Sequence, residues 1–247
     1  FNREFNEKLD IKLISGYKRL IFSNYDLNEK LFEHYANNDF NGLEYKGSLF
    51  NQDVYVLPPF LIHLTFSSNF NQDVSNLPPF LTHLTFGRYF NQDVLNLPPS
   101  LTHLTFGLFF NQDVSKLPHG ITHLTFGHCF NQDVSALPHN LTHLTFGLNF
   151  NQQYNISPNI KYLKLDCNNS YIINSLPNSV AELELNYNFN LEINNLPTSI
   201  KILRINKKSN YNMDLNCLPD FIEELHLNYN YKKRILYIPS NLKKIVC

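Results

Sequence analysis

Apolar residues recur along most of this chain at a fixed spacing, which is 20 residues in its central part. One unit reads F-N-Q-D-V-x-x-L-P-x-x-L-T-H-L-T-F-G-x-x, and Phe-Asn begins a unit at residues 50, 70, 90, 110, 130 and 150. A single unit cannot bury its own apolar face, whereas stacked copies cover one another. The periodicity therefore predicts a solenoid.

Within a unit, the alternation in Leu-x-x-Leu-x-Phe predicts a short strand with Leu84 and Phe86 facing the core. Gly87 follows at once, and we expect it to permit a turn with positive φ. Pro98 has no N–H to donate and should hold the return arm extended. Stacked units then form a parallel sheet with strands about 4.8 Å apart.

The same apolar core continues beyond the regular units, which span residues 50–155, into degenerate units at 156–247. Upstream, residues 17–22 and 40–45 look like eroded copies, which gives about twelve units on this 20-residue pattern. Leu-x-x-Leu-x-Leu is the signature of leucine-rich repeats. The predicted fold is a leucine-rich-repeat-like horseshoe with a parallel β-sheet on its concave face, mostly extended or 3₁₀ outer arms and little α-helix.

Two domains are expected on this basis: an N-terminal capping region at residues 1–39 and the solenoid at 40–247. Asp26-Leu27-Asn28-Glu29 resembles a capping box, so a short helix is predicted near residues 27–35. The Asn of each Phe-Asn should form a ladder whose side chains bond backbone groups where strand becomes loop. The members of this ladder are Asn71, Asn91, Asn111 and Asn131.

Residues that point away from the core should form rows on the concave face, one His and one Thr from each regular unit. These predicted partner-binding residues are His63, His83, His103, His123, His143, Thr65, Thr85, Thr105, Thr125 and Thr145. A recognition surface and a relic of recent duplication both explain the rows. A metal site is disfavoured, because imidazoles in a line do not converge on one tetrahedral ion. Imidazoles stacked ~5 Å apart should have pKa values below the ordinary ~6.5.

Beyond residue 160 the concave positions become a charged mosaic, which suits an extended partner but also independent drift of older copies. Its predicted binding residues are Tyr162, Lys164, Glu182, Glu184 and Arg204. A pair of positions after each strand varies freely, and specificity is often placed in such loops. Its candidates for a rim patch are Arg88, Tyr89, Leu108 and Phe109, although loop drift explains the variation too and the second position of each pair could be partly buried.

The formal net charge is −1, and this near-neutral balance gives no indication of nucleic acid or of an anionic membrane as partner. No run approaches the ~20 apolar residues of a membrane span. Four cysteines without CxxC spacing favour a reducing compartment, so an intracellular, cytoplasmic location is expected. We find no catalytic, phosphate-binding or metal motif, and therefore expect no enzyme activity, no metal and no cofactor.

The F-N-x-x-V-x-x-L-P-x-x-L core resembles the FNIP repeat, whose proteins are found mainly in social amoebae and in giant DNA viruses that infect them. Family members often carry an N-terminal F-box that docks onto a ubiquitin-ligase scaffold. The resemblance thus implies a protein–protein interaction module, with substrate recruitment for such a ligase as its expected role. Residues 1–40 contain no recognisable F-box.

The alternative function is a structural or self-assembling protein, such as a giant-virus component, which would place the chain in the host cytoplasm. The last strand-like unit reaches Cys247 with no capping segment after it. An uncovered sheet edge promotes self-association, so a homodimer through this C-terminal unit is expected alongside an unidentified protein partner.

Overall fold

A computed structural model describes residues 18–22, 51, 54 and 57–247 of the chain. In this part, eleven short strands form one parallel sheet in sequence order, joined by arms of irregular backbone and one helix. The elements are β1 (Arg19–Ile21), β2 (His63–Thr65), β3 (His83–Thr85), β4 (His103–Thr105), β5 (His123–Thr125), β6 (His143–Phe146), β7 (Tyr162–Leu165), α1 (Ser170–Asn174), β8 (Glu182–Leu185), β9 (Ile202–Ile205), β10 (Glu224–His226) and β11 (Lys244–Val246). The predicted solenoid and its scarcity of helix are confirmed.

Neighbouring strands pair without a register shift, so equivalent residues of successive units lie side by side. At the N-terminal end β1 pairs directly with β2, and Leu20 lies beside Leu64. The expected copy at residues 40–45 lies outside the described residues. The capping region, apart from residues 18–22, and its predicted helix at 27–35 lie outside the described residues.

The core is built from two ladders of phenylalanine rings. Within one unit Phe86 and Phe90 stack with their ring centroids 3.7 Å apart, and each ring also stacks on its copy in the next unit. Both rings are buried, and so is Leu84 on the same strand as Phe86. Burying a Phe, Val, Leu or Ile side chain contributes about 1.5–3 kcal/mol, so the two Phe positions stabilise each regular unit together with its buried aliphatic residues.

The spacing between copies shows which face of the sheet is concave. Successive histidine rings on the outward side of the strands are 4.0–4.2 Å apart. On the core side, copies of Phe86 are 5.7–5.8 Å apart and copies of Phe90 are 6.0–6.1 Å apart. The distance between neighbouring units is therefore smallest on the histidine side and larger in the core. The histidine side of the sheet lies on the inside of the curve.

The glycine after each regular strand is required by a close approach between units. A Cβ on Gly107 would lie 1.9 Å from the carbonyl oxygen of Gly87, and a Cβ on Gly127 would lie 2.0 Å from that of Gly107. The expectation of a positive φ at Gly87 is wrong, because none of these glycines adopts the left-handed conformation. Gly87 is needed because its own Cβ would meet the Ser67 carbonyl oxygen at 1.8 Å.

The predicted asparagine ladder is confirmed. The Oδ1 atom of Asn91 accepts a hydrogen bond from the backbone N–H of Asn111 at 2.8 Å, and Asn111 does the same for Asn131. A second ladder runs beside it, in which the Gln112 side chain donates to the backbone carbonyl of Asn91 at 3.1 Å. Both ladders tie each return arm to the arm before it.

The only α-helix among the described residues, α1, interrupts the extended arms at one place. Asn169 is its N-cap, and the side chain accepts a hydrogen bond from the Ile172 backbone at 3.1 Å. Ile172 and Ile173 face inward and are buried. These two residues of the helical turn belong to the same core as the buried Val and Leu residues of the regular units.

Candidate functional site

The concave face carries two rows of side chains, which come from the first and third residue of each short strand. The first, the histidine row, consists of His63, His83, His103, His123 and His143, and the second, the threonine row, of Thr65, Thr85, Thr105, Thr125 and Thr145. All ten residues are half-buried, while the leucines between them are buried in the core. The predicted placement of both rows is what the structure shows.

The histidine rings form a continuous stack. Rings of His83, His103, His123 and His143 follow one another at 4.0–4.1 Å with interplanar angles of 12–14°. His63 is tilted by 30° against His83. At the other end the ring of Tyr162 continues the stack, 5.5 Å from His143.

Four of the five rings are held by the threonine that directly precedes the histidine in the sequence. In the strand that holds His103, the Thr102 hydroxyl lies 2.9 Å from Nδ1 of the ring and 3.1 Å from the Thr82 carbonyl oxygen. The other three anchors make the same contacts, and the full set of anchor threonines is Thr82, Thr102, Thr122 and Thr142. Ile62 precedes His63 and has no hydroxyl, which explains why that ring alone is tilted.

The anchor threonines were missed at the level of sequence, because only the alternate residues of the strand were assigned to the concave face. The signal was present: Thr stands directly before His in four copies, and Ile stands there in the first. A hydroxyl beside an imidazole is a strong candidate for a hydrogen bond to Nδ1.

Burial and mutual proximity hold the pKa of the stacked imidazoles down. Desolvation is the larger cause and the neighbouring histidines the smaller one for His83 and His103, while desolvation alone lowers the pKa of His143. The same two causes lower the pKa of His123 to about 4. The expected downward direction is thus found for these four residues, and they are neutral at pH 7.

The charged mosaic beyond residue 160 is largely paired with itself. Glu184 accepts a hydrogen bond from the Tyr162 hydroxyl at 2.7 Å and forms an ion pair with Lys164 at 2.6 Å. Glu182 lies opposite Ile202 of the neighbouring strand β9. It forms an ion pair with Arg204, two residues further along that strand. Burial and the bond to Glu184 raise the pKa of Tyr162. This part of the face therefore offers fewer free charges than its sequence indicates.

The rim brings together three of the four predicted residues. The rings of Tyr89 and Phe109 stack at 5.4 Å, and the guanidinium carbon of Arg88 lies 5.3 and 5.4 Å from their centroids. Tyr89 and Phe109 are 42% and 38% exposed, so the second position of the pair is not buried. Leu108 is half-buried at the first position of the next pair.

A buried carboxylate near this rim was not found from the sequence. Asp166 takes the place of the turn glycine in the first degenerate unit and is 3% exposed. It accepts hydrogen bonds from the backbone and side chain of Asn188 at 3.1 and 3.2 Å, and His128 Nε2 lies 3.2 Å from its other oxygen. Asp166 thus links three units where the glycine ladder ends.

Other features of chemical interest are few in the described part of the chain. No cluster of three or more potential metal ligands occurs there, and no helix there is long and apolar enough to cross a membrane. A depression of about 320 Å³ lies between α1 and the next arm, and Glu192 is the one ionisable residue in its lining.

Comparison with known proteins decides the family. The FNIP Repeat profile matches residues 73–109, 110–149, 150–187, 167–208 and 210–246, which is most of the chain. This chain belongs to the FNIP repeat family. No curated protein matches it. FNIP solenoids are repeat proteins of the leucine-rich type, which are typically non-catalytic.

Among solved structures, the FNIP chain is similar to CroV588, which is described as a novel circular LRR protein. The two are 33% identical with a TM-score of 0.55, and the alignment covers 78% of this chain and 37% of that one. The similarity supports the curved leucine-rich-repeat architecture. The FNIP chain therefore spans a little over a third of the length of that relative.

Proposed function

We propose that this FNIP chain is a non-catalytic module that binds another protein through the concave face of its solenoid. The histidine row is the observation that carries the proposal. Four of its five rings are held in one orientation by the anchor threonines, and all five stay half-buried on the strands. A preorganised surface loses little side-chain entropy on binding, which favours affinity. The rim cluster of Arg88, Tyr89 and Phe109 extends this surface with the residue types that dominate protein interfaces.

Paired substitutions on the two sides of the solenoid test this proposal. Thr105→Arg with Thr125→Arg adds bulk and charge to the concave face, whereas Asn96→Arg with Ala136→Arg adds the same groups to exposed positions of the return arms. In affinity capture from the native source, proteins retained by the wild type and by the outer variant should be lost from the concave variant. Equal capture by all three would contradict the proposal.

The finer role that we propose is recruitment of substrates to an F-box-type ubiquitin ligase, and it rests on the family resemblance alone. Recovery of the ligase scaffold in the same capture experiment would support it.

We also propose a cytoplasmic location, in the host cytoplasm for a viral protein, because none of the four cysteines is in a disulfide.

Self-assembly is a second candidate function, favoured by apolar residues at the C-terminal edge of the described sheet. Leu236 and Ile238 are 79% and 62% exposed, and Ile245 on β11 is half-exposed. Exposed apolar side chains beside an unpaired sheet edge promote association with another chain. Light scattering should show a dimer for the wild type and a monomer for Leu236→Glu with Ile238→Glu. A monomeric wild type at high concentration would exclude this route.

A further inference from the structure

The hydrogen bonds of the anchor threonines determine what the histidine row offers to a partner. Each anchor hydroxyl has one hydrogen and lies near two acceptors, the ring Nδ1 and a carbonyl oxygen of the preceding unit. The carbonyl of Thr82 already accepts the backbone N–H groups of Thr102 and His103 at 2.9 and 3.0 Å, so the hydroxyl hydrogen has to compete with two donors there. The equivalent carbonyls of Ile62, Thr102 and Thr122 are occupied in the same way.

In the neutral ring the hydroxyl hydrogen therefore favours Nδ1, which is also the shorter contact, 2.8–2.9 Å against 3.1–3.3 Å to the carbonyl oxygen. With Nδ1 as acceptor, the neutral ring carries its own hydrogen on Nε2. The four anchored rings then present a row of Nε2–H donors. A protonated ring presents the same donor, because its Nδ1–H can donate to the hydroxyl, whose hydrogen then turns to the carbonyl.

The charges around the row favour an anionic partner. Arg19 lies beside His63 at one end, and at the other end Lys164, beside Thr145, is already paired with Glu184. Both rows lack acidic residues from β1 to β6. The aspartates of these units lie in the return arms, where Asp73, Asp93, Asp113 and Asp133 each accept the backbone N–H two residues later.

The acidic groups nearest to the row are already engaged by other side chains. Glu184 is bound by Tyr162 and Lys164, and Glu182 is paired with Arg204. No other charged or titratable side chain of the described residues faces the row within β1–β7. Donors without competing carboxylates thus cover the concave face of the regular units.

We propose that the histidine row binds an acidic, extended segment of the partner protein, whose carboxylates accept hydrogen bonds from the Nε2–H groups. This inference rests on the proposed concave-face function and names its partner class. The five rings span about 16 Å in four steps of 4.0–4.2 Å, which is the length of about five extended residues. A bound carboxylate favours the imidazolium form, so binding should take up protons and tighten as the pH falls.

The probe is a fluorescein-labelled ten-residue glutamate peptide, and the controls are a glutamine peptide of equal length and a single-stranded oligonucleotide. Anisotropy titrations of the whole chain should show binding of the glutamate peptide that tightens about threefold or more from pH 7.5 to 6.0. His103→Gln with His123→Gln should remove this pH dependence. His119→Gln with His139→Gln, which changes exposed outer histidines of two neighbouring regular units, should retain it.

Equal binding of the glutamine peptide, a pH-independent affinity, or no effect of the His103 and His123 substitutions in a folded variant would overturn the inference. Tighter binding of the oligonucleotide would overturn it in favour of a nucleic-acid ligand. Thr102→Val with Thr122→Val keeps both rings but removes their anchors, so it should weaken peptide binding without unfolding the chain. If capture depends on the concave face but the captured protein has no acidic segment, the proposed function stands and only this inference fails.

Discussion

At the scale of single residues, the glycines that follow the regular strands leave no room for a side chain, because the backbones of successive units are in contact there. The sequence predicts glycine's position in the turn but not the reason for it, because a positive φ and a close approach of two backbones both require glycine. The distinction depends on the position of the next unit. No pattern within one unit contains that information.

Substitution of Gly107 tests this contact. In Gly107→Ala the new methyl group would meet the Gly87 carbonyl oxygen at 1.9 Å, so two backbones must move apart. We expect a loss of about 3 kcal/mol in the free energy of unfolding, measured by urea denaturation. Gly120→Ala is the control, because its nearest atom is the Leu101 carbonyl oxygen at 3.1 Å. Equal losses for the two variants would contradict the explanation.

The lowered pKa values of the histidine row predict a dependence of stability on pH. Below the ordinary pKa of 6.5 the unfolded chain binds protons that the folded rings of His83, His103, His123 and His143 do not bind. The free energy of unfolding should therefore decrease as the pH falls from 6.5 toward 4, the value for His123. The lowered pKa values of Asp73, Asp113 and Asp133 add a loss of the same sign, but only as the pH approaches about 4, so the histidines determine the profile above about pH 5.

Thermal unfolding between pH 7.5 and 5 measures this effect. Replacing His83, His103 and His123 by Gln should flatten the profile, and replacing the outer residues His119 and His139 by Gln should leave it unchanged. A flat profile for the wild type would refute the electrostatic description of the row.

At the scale of the elements, short strands, core anchors and the asparagine ladder could be predicted because each repeats at a fixed offset. The pairing of Glu182 with Arg204 could not, because it joins residues of different units that share no motif. The same holds for β1, whose neighbour in the sheet is 44 residues away in sequence at His63. Local structure that repeats can be predicted from the sequence, whereas contacts between units of different sequence are seen only in the structure.

The asparagine ladder makes a prediction at this scale. Asn111→Ala removes the oxygen that accepts the Asn131 backbone N–H, and an unsatisfied, partly buried donor costs about 1–2 kcal/mol. Asn111→Asp keeps Oδ1 and should lose less than half as much in chemical denaturation. If Ala and Asp cost the same, the side chain does not act through this hydrogen bond.

At the scale of the whole molecule, the curvature brings the histidine rings closer together than the core rings and turns repeated side chains into one surface. The sequence indicates where this surface lies, but the same repetition is what recent duplication would leave behind. The orientation of the rings by Thr82, Thr102, Thr122 and Thr142 is the observation that favours recognition. A tolerated surface residue needs no such anchor.

Crosslinking from single positions tests the binding surface most directly. A photoreactive amino acid is placed either at Thr105, on the concave face, or at Lys116, an exposed residue of the outer arm next in sequence. After irradiation in lysate of the native source, covalent adducts are resolved by mass spectrometry. We expect partner adducts from Thr105 and none from Lys116. Adducts from Lys116 alone would show that the solenoid binds through its outer side and would contradict this expectation.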